Sequence, residues 1–248
     1  MTTMLRATLA PDYEISRIIR GGWQLAAGHG AATSADPIPA MIAFADAGVT
    51  TFDCADIYTG VEETIGRFRR RYLALRGEEA LRRIRIHTKF VPDLDLLPRI
   101  AKRDVERVID RSLRRLDMDR LDLVQLHWWD YDIPGLIETA HWLDELRKSG
   151  KVTLLGGTNF DPEHMRKIVQ SGAPLVSMQV QYSLLDRRPE TTMVEAAAAL
   201  GVRLLCYGSL AGGFLSDRWL GAPAPTGDLP NRSLVKYRLV IEEFGGWD

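Results

Sequence analysis

Two cysteines in 248 residues, Cys54 and Cys206, are too few for a disulfide framework, and neither has a CxxC partner. That excludes a small stapled extracellular fold and a dithiol redox pair, and suits a reducing compartment. Both are expected as small buried hydrophobes. Excess charge is also missing. The 32 basic side chains stand against 33 acidic ones, a net of -1, so no whole-chain field would draw the protein to nucleic acid or anionic lipid. The densest basic group, Arg67, Arg69, Arg70 and Arg71, precedes Tyr72 and Leu73 and reads as the solvated face of a helix. No run approaches the ~20 apolar residues of a membrane span. The start, MTTMLRATLAPDYEI, lacks the basic-then-apolar order of a secretory leader, so a cytoplasmic location is expected. Neither GxGxxG nor GxxxxGK occurs, since Gly28-His29-Gly30 is followed by Ala31-Ala32; a Rossmann or P-loop phosphate cradle is thereby excluded. Metal hydrolysis needs a cluster of His and carboxylate ligands, and His29, His87, His141 and His164 are spread over strand, helix and loop with no such spacing. No metal is expected.

What is present is a repeat. With 46% of its residues hydrophobic, the chain can bury a sizeable core, and its length suits one α/β barrel. Apolar or alternating runs, each followed by a stretch of 3.6-residue period, recur as βα units. Strands are expected at 14–22, 50–53, 84–89, 121–127, 152–157, 175–181 and 202–207. Asp36-Pro37 caps a helix with the apolar stripe Ile38, Met41, Ile42 and Ala45, which Gly48 ends. Val105, Val108, Ile109, Leu113 and Leu116 line one face of another, and Asp161-Pro162 caps a third. No linker-like stretch divides these units, so a single domain over residues 1–248 is expected. Residues 234–241 run straight into Glu242 and Glu243 and read as a helix, not as an eighth strand. The predicted fold is therefore α/β, a TIM-type (β/α)8 barrel that is incomplete, its eighth βα unit missing. A seven-stranded remnant would expose two sheet edges.

Four polar residues stand at or just after strand ends: Asp53 after TTF, Tyr58 five residues on, Lys89 closing IRIHT, and His127 closing LDLVQL. A parallel β/α barrel gathers those ends on one face, where its chemistry is done, so the four are expected to share a site. Together they suit reduction of a carbonyl, whose oxygen needs a proton and electrostatic help as hydride adds to carbon. Tyr58 is the candidate donor. A free phenol, with a pKa of about 10, needs a nearby cation to become acidic, and Lys89, paired with Asp53, would supply it. His127 would donate a hydrogen bond to the substrate oxygen and orient it. Each residue also has a structural reading: Asp53 as a turn cap, Tyr58 packed with its hydroxyl in water, Lys89 and His127 as rim residues.

FDCADIY, IHTKF and LDLVQLHW resemble the Asp-plus-Tyr, Lys and His motifs of the aldo-keto reductases, and the resemblance runs along nearly the whole chain. It implies an eight-stranded α/β barrel, NADP (NADPH) as cofactor, reduction of aldehydes or ketones to alcohols or the reverse, and the catalytic tetrad Asp53, Tyr58, Lys89 and His127. It further implies that Thr158 and Asn159 in GGTNFD, with Gln179 in VSMQVQYSLLDR, hold the nicotinamide carboxamide. Tyr207 would stack on the ring, Gly208, Ser209 and Leu210 would begin the loop around the pyrophosphate, and Gly22 and Trp23 would reach cofactor and substrate. Without the resemblance, Asn159 reads as a helix cap, Gln179 as a partner for backbone inside the barrel, and Tyr207 as core. Trp23, Tyr58, His127 and Trp128, with Trp129 beside them, would line an apolar substrate pocket. The family's basic loop for the 2'-phosphate and adenine belongs to an eighth unit; Arg232, Lys236 and Arg238 precede that segment and are not assigned its role. The expectation is an enzyme acting on a small carbonyl or alcohol, with a weakened cofactor grip and no nucleic-acid or membrane partner. The alternative is a catalytically impaired relic or a cofactor-binding regulatory subunit, a class that the family contains.

Overall fold

A computed structural model describes residues 4–26, 36–229 and 231–247; Gly28, His29 and Gly30 lie outside the described residues. An antiparallel hairpin comes first, β1 (Arg6–Ala10) and β2 (Tyr13–Ser16). Its turn runs through Pro11 and Asp12, the latter at φ 59°, a left-handed conformation that Asp tolerates better than most side chains. Seven parallel strands follow, each paired with the next: β3 (Ile19–Gly21), β4 (Thr51–Asp53), β5 (Arg85–Phe90), β6 (Leu121–Leu126), β7 (Val152–Thr158), β8 (Leu175–Gln181) and β9 (Arg203–Tyr207). The helices between and after them are α1 (Ile38–Asp46), α2 (Val61–Leu81), α3 (Lys102–Leu116), α4 (Leu136–Lys148), α5 (Pro162–Gln170), α6 (Thr192–Leu200) and α7 (Arg232–Glu243).

Strand alternation builds two cores from one sheet. Ile86, Val124, Leu126 and Leu155 face the helices and join their apolar stripes, including Val105, Ile109 and Leu116 of α3. Leu123 and Leu205 face the other way and meet Leu9, Tyr13 and Ile15, so the hairpin covers the inner side of the sheet. A third, separate cluster holds Phe214, Tyr237, Val240 and Ile241 at the C-terminal end of the chain.

The expected strand over 14–22 is two strands. Ser16 donates its hydroxyl to the Ile18 carbonyl at 2.7 Å, a local bond that competes with an extended ladder and turns the chain between β2 and β3. The same residue fastens the hairpin to the barrel: its N–H donates to Thr51 Oγ1 at 3.0 Å, and its Oγ accepts from the Thr51 N–H at 3.1 Å. Residues 234–241 lie within α7, whose N-cap Asn231 accepts from the Leu234 N–H at 3.0 Å. Among the described residues no eighth strand links β9 to β3, so the (β/α)8-type barrel is incomplete and both strands are edges. Cys54 is buried, but Cys206 is exposed because it lies on the edge strand β9. The basic group on α2 also divides: Arg67, Arg70 and Arg71 are exposed, whereas Arg69 is half-buried in the field of Asp117, Asp119 and Asp122. No helix among the described residues is long and apolar enough to cross a membrane.

Ser16→Ala strands the buried Thr51 N–H, which should cost about 1–3 kcal/mol. Urea unfolding is expected to show a lower midpoint with an unchanged slope; an unshifted midpoint would mean the hairpin is not held by this bond.

Candidate active site

Asp53 ends β4 and Lys89 sits near the end of β5, both buried. Lys89 Nζ donates to Asp53 Oδ1 at 2.5 Å and to the Cys54 carbonyl at 2.8 Å. The other carboxylate oxygen, Asp53 Oδ2, accepts from Gln125 Nε2 and from Gln179 Nε2, each at 2.9 Å. Burial favours the neutral amine, but Asp53 and the other groups around it outweigh burial and hold its pKa above the ordinary value. The ammonium form is favoured. Tyr58, on the loop between β4 and α2, lies against it: Nζ is 5.0 Å from the ring centroid, over the ring, and acts to lower the phenol's proton affinity. The phenol is nonetheless not acidified. Burial raises its pKa, Lys89 lowers it and Asp53 raises it again, and the net direction is upward. The expected acidic phenol is corrected on that point, because desolvation of the phenolate outweighs the one adjacent charge.

His127 follows β6 and is half-buried. Its Nδ1 lies 3.2 Å from the Thr158 carbonyl, a partner that can only accept, so Nδ1 carries the proton. Burial lowers the ring's pKa; the Thr158 bond opposes this and Lys89 reinforces it, leaving a neutral imidazole. A neutral ring protonated at Nδ1 has an acceptor at Nε2. The Thr158 contact favours an accepting Nε2 over the donor role expected from the sequence. Trp23 tilts onto Tyr58 with centroids 5.0 Å apart, and Trp129 sets its edge against His127 at 4.5 Å. Trp128 does not line this face. It is buried among the helix-side hydrophobes with its indole donating to the Ile133 carbonyl at 3.2 Å, since residues next to each other past a strand end point to opposite sides. Gly22 packs so closely on β4 that a Cβ there would lie 2.8 Å from the Asp53 carbonyl oxygen.

The loop carrying Tyr58 is tethered from behind. Asp56 accepts from the Val91 N–H and from Arg111, both at 3.1 Å, while its carbonyl accepts from Arg115 at 3.2 Å. Glu62 accepts from the Thr88 hydroxyl at 2.8 Å and pairs with Arg115. Burial, then the neighbouring Glu62, pushes the Asp56 carboxyl up to about 7. These residues, like Gln125, went unmarked in the sequence. Gln125 was findable, because it stands two positions before His127 and so shares its inward face.

Beside the tetrad, β7 to β9 bring together Thr158, Asn159, Gln179 and Tyr207. Asn159 is no helix cap; Asp161 fills that place by accepting from the His164 N–H at 2.8 Å. Asn159 instead holds φ 61° and accepts from the Tyr207 hydroxyl at 2.9 Å. Thr158 Oγ1 is 3.5 Å from Gln179 Oε1. Tyr207 is within the electrostatic reach of Tyr58 and Lys89. Gly208 follows at φ 77°, and a Cβ there would overlap the Tyr237 ring of α7; Ser209 and Leu210 are exposed.

The profile of the Aldo/keto reductase family matches residues 17–245. Among curated relatives, the chloroplastic pyridoxal reductase of Arabidopsis thaliana is 31% identical over 194 residues, covering 73% of this chain and 52% of that protein. Aldo-keto reductase YhdN of Bacillus subtilis is 31% identical over 214 residues, covering 83% and 61%. The chain thus spans 52% to 61% of the length of these two relatives. Among solved structures, an aldo/keto reductase of Klebsiella pneumoniae in complex with NADP and acetate superposes with a TM-score of 0.67 at 28% identity, covering 84% of this chain and 69% of that one.

The tautomer of His127 is open to measurement. Nitrogen NMR at pH 7 should show a protonated Nδ1 and a bare Nε2, with titration only below the ordinary histidine value. An imidazolium at pH 7, or a proton on Nε2, would contradict the assignment.

Proposed function

Because the chain belongs to the aldo/keto reductase family, we propose that it is an NADP-dependent oxidoreductase interconverting aldehydes or ketones with alcohols, with Tyr58 as proton donor. The observation that carries this reading is the line Tyr58–Lys89–Asp53, a phenol ring packed against an ammonium that a buried carboxylate fixes. A nicotinamide cofactor, when bound, supplies or takes up the hydride. The donor set beside the tetrad fits its carboxamide. Asn159 has committed its oxygen to Tyr207 and so offers N–H, whereas Gln179 has committed its nitrogen to Asp53 and so offers Oε1; a carboxamide presents the complementary oxygen and nitrogen. Tyr207 offers a flat face for the ring, and the turn at Gly208 leads into Ser209 and Leu210 for the pyrophosphate.

The chain's own groups then divide the work. Tyr58 keeps its proton until the carbonyl oxygen becomes basic enough to take it, and Lys89 stabilises the phenolate left behind. His127 Nε2 accepts a hydrogen bond from the hydroxyl so formed and fixes its direction. In the reverse sense it orients an alcohol for Tyr58 to deprotonate. Trp23 and Trp129 give the mouth an apolar wall, which favours aromatic or aliphatic carbonyls over highly charged ones. NADP as the cofactor is supported by the NADP held in the Klebsiella relative.

Tyr58→Phe should lower kcat for aldehyde reduction by about 10²- to 10⁴-fold and leave NADPH binding, followed by fluorescence titration, near that of the parent. Parent-like turnover in the variant removes Tyr58 from the chemistry. Binding without turnover in the parent would replace the enzyme reading with that of a cofactor-binding subunit.

A further inference from the structure

A lysine lies on the aromatic platform. Lys236 projects from α7 so that its Nζ is 4.7 Å from the Tyr207 ring centroid and 5.3 Å from that of Tyr237, with the Tyr207 hydroxyl at 3.5 Å. Its neighbour Arg238 is neutralised by Glu242. Lys236 has no such ion pair among the described residues; its ammonium lies over the two rings, in the field of Asp186.

We infer that Lys236 makes the cofactor site discriminate between the two redox states of the nicotinamide, disfavouring the cationic pyridinium relative to the neutral dihydropyridine. This rests on the reading above, in which the nicotinamide stacks on Tyr207. The ring quadrupole that attracts an ammonium is the same feature that would attract a pyridinium. If the two cations seek one face of Tyr207, the ammonium must move aside for either form of the cofactor but continues to repel only the charged one. If they take opposite faces, the ammonium already polarises the ring and stands one ring thickness from the second positive charge. Both arrangements penalise the oxidised ring alone, because the reduced ring carries no charge. Lys89, the other ammonium near Tyr207, is paired with Asp53 and so contributes less of this field. The consequence is a site that retains NADPH over NADP⁺ and so leans towards carbonyl reduction.

The test is fluorescence titration of the parent, Lys236→Met and Lys236→Arg with NADP⁺ and NADPH, and in parallel with NAD⁺ and NADH, which carry the same ring. Lys236→Met should lower the ratio Kd(oxidised)/Kd(reduced) by roughly threefold, the size expected of one partly exposed cation–π contact. Lys236→Arg, which keeps charge and stacking, should retain the parent ratio. An equal change for both redox forms in Lys236→Met would mark a structural or phosphate-binding residue and overturn the inference, as would no change. Absence of binding of any nucleotide to all three proteins would overturn the cofactor reading itself, and this inference with it.

Discussion

The Asp53 carboxylate is the group on which the site depends. It is a buried anion on β4 that accepts from Lys89 on β5, Gln125 on β6 and Gln179 on β8. A carboxylate in that setting is costly unless its lone pairs are met, and here three donors from three other strands meet them. The dependence is mutual. Lys89 without Asp53 would be an unpaired buried ammonium, and the two amides would each lose an acceptor. These side-chain bonds add to the backbone ladders that already join β4 through β8, and tie the strands together at the C-terminal mouth. Chemistry and sheet geometry are one arrangement there.

The two halves of the site rest on different packing. Asp53, Lys89 and His127 project from strands anchored in the large helix-side core. Tyr207, by contrast, ends an edge strand, and the loop after it leans on the smaller cluster of Ala211, Phe214, Tyr237, Val240 and Ile241. Gly208 has no room for a side chain because Tyr237 occupies the space. The loop after Tyr207 is therefore held by α7 and its few buried side chains, whereas Thr158, Asn159 and Gln179, like Asp53, Lys89 and His127, stand on strands of the main core. Local opening free energies follow buried apolar contact, so the segment after Tyr207 is the part of the proposed site that would loosen first.

How much of this was legible in the sequence depends on whether the signal was local. The seven barrel strands, the Asp161 cap and the helical reading of 234–241 were visible because hydrophobic period and capping chemistry act over a few residues. The hairpin was missed although Pro11-Asp12 is a turn signal, since 14–22 reads as one apolar alternation until Ser16 is known to bond Ile18 and Thr51. The strand-end rule brought Asp53, Lys89 and His127 to one face. It failed at Trp128, where the chain leaves the strand and the next residue, Trp129, is the one that meets His127. Lys236 on Tyr207 joins residues 29 positions apart on an edge strand and a separate helix; no spacing rule encodes such a pair.

The tyrosine shows why placement and proton affinity must be judged separately. Proximity to Lys89 was read from the motifs as the cause of an acidic phenol, and the proximity is there, yet the pKa moves upward because the ring and hydroxyl are removed from water. A weakly acidic donor does not release its proton to solvent at neutral pH. In the proposed reaction the proton would pass to an alkoxide, a far stronger base, and the fixed ammonium would lower the cost of the phenolate at that moment without any movement of charge in the protein. Lys89 would thus act on the transition state more than on the free phenol, since Asp53 holds its proton. His127, accepting at Nε2, would suit the hydroxyl that results. The three groups would therefore act in the order in which charge on the substrate oxygen appears and disappears.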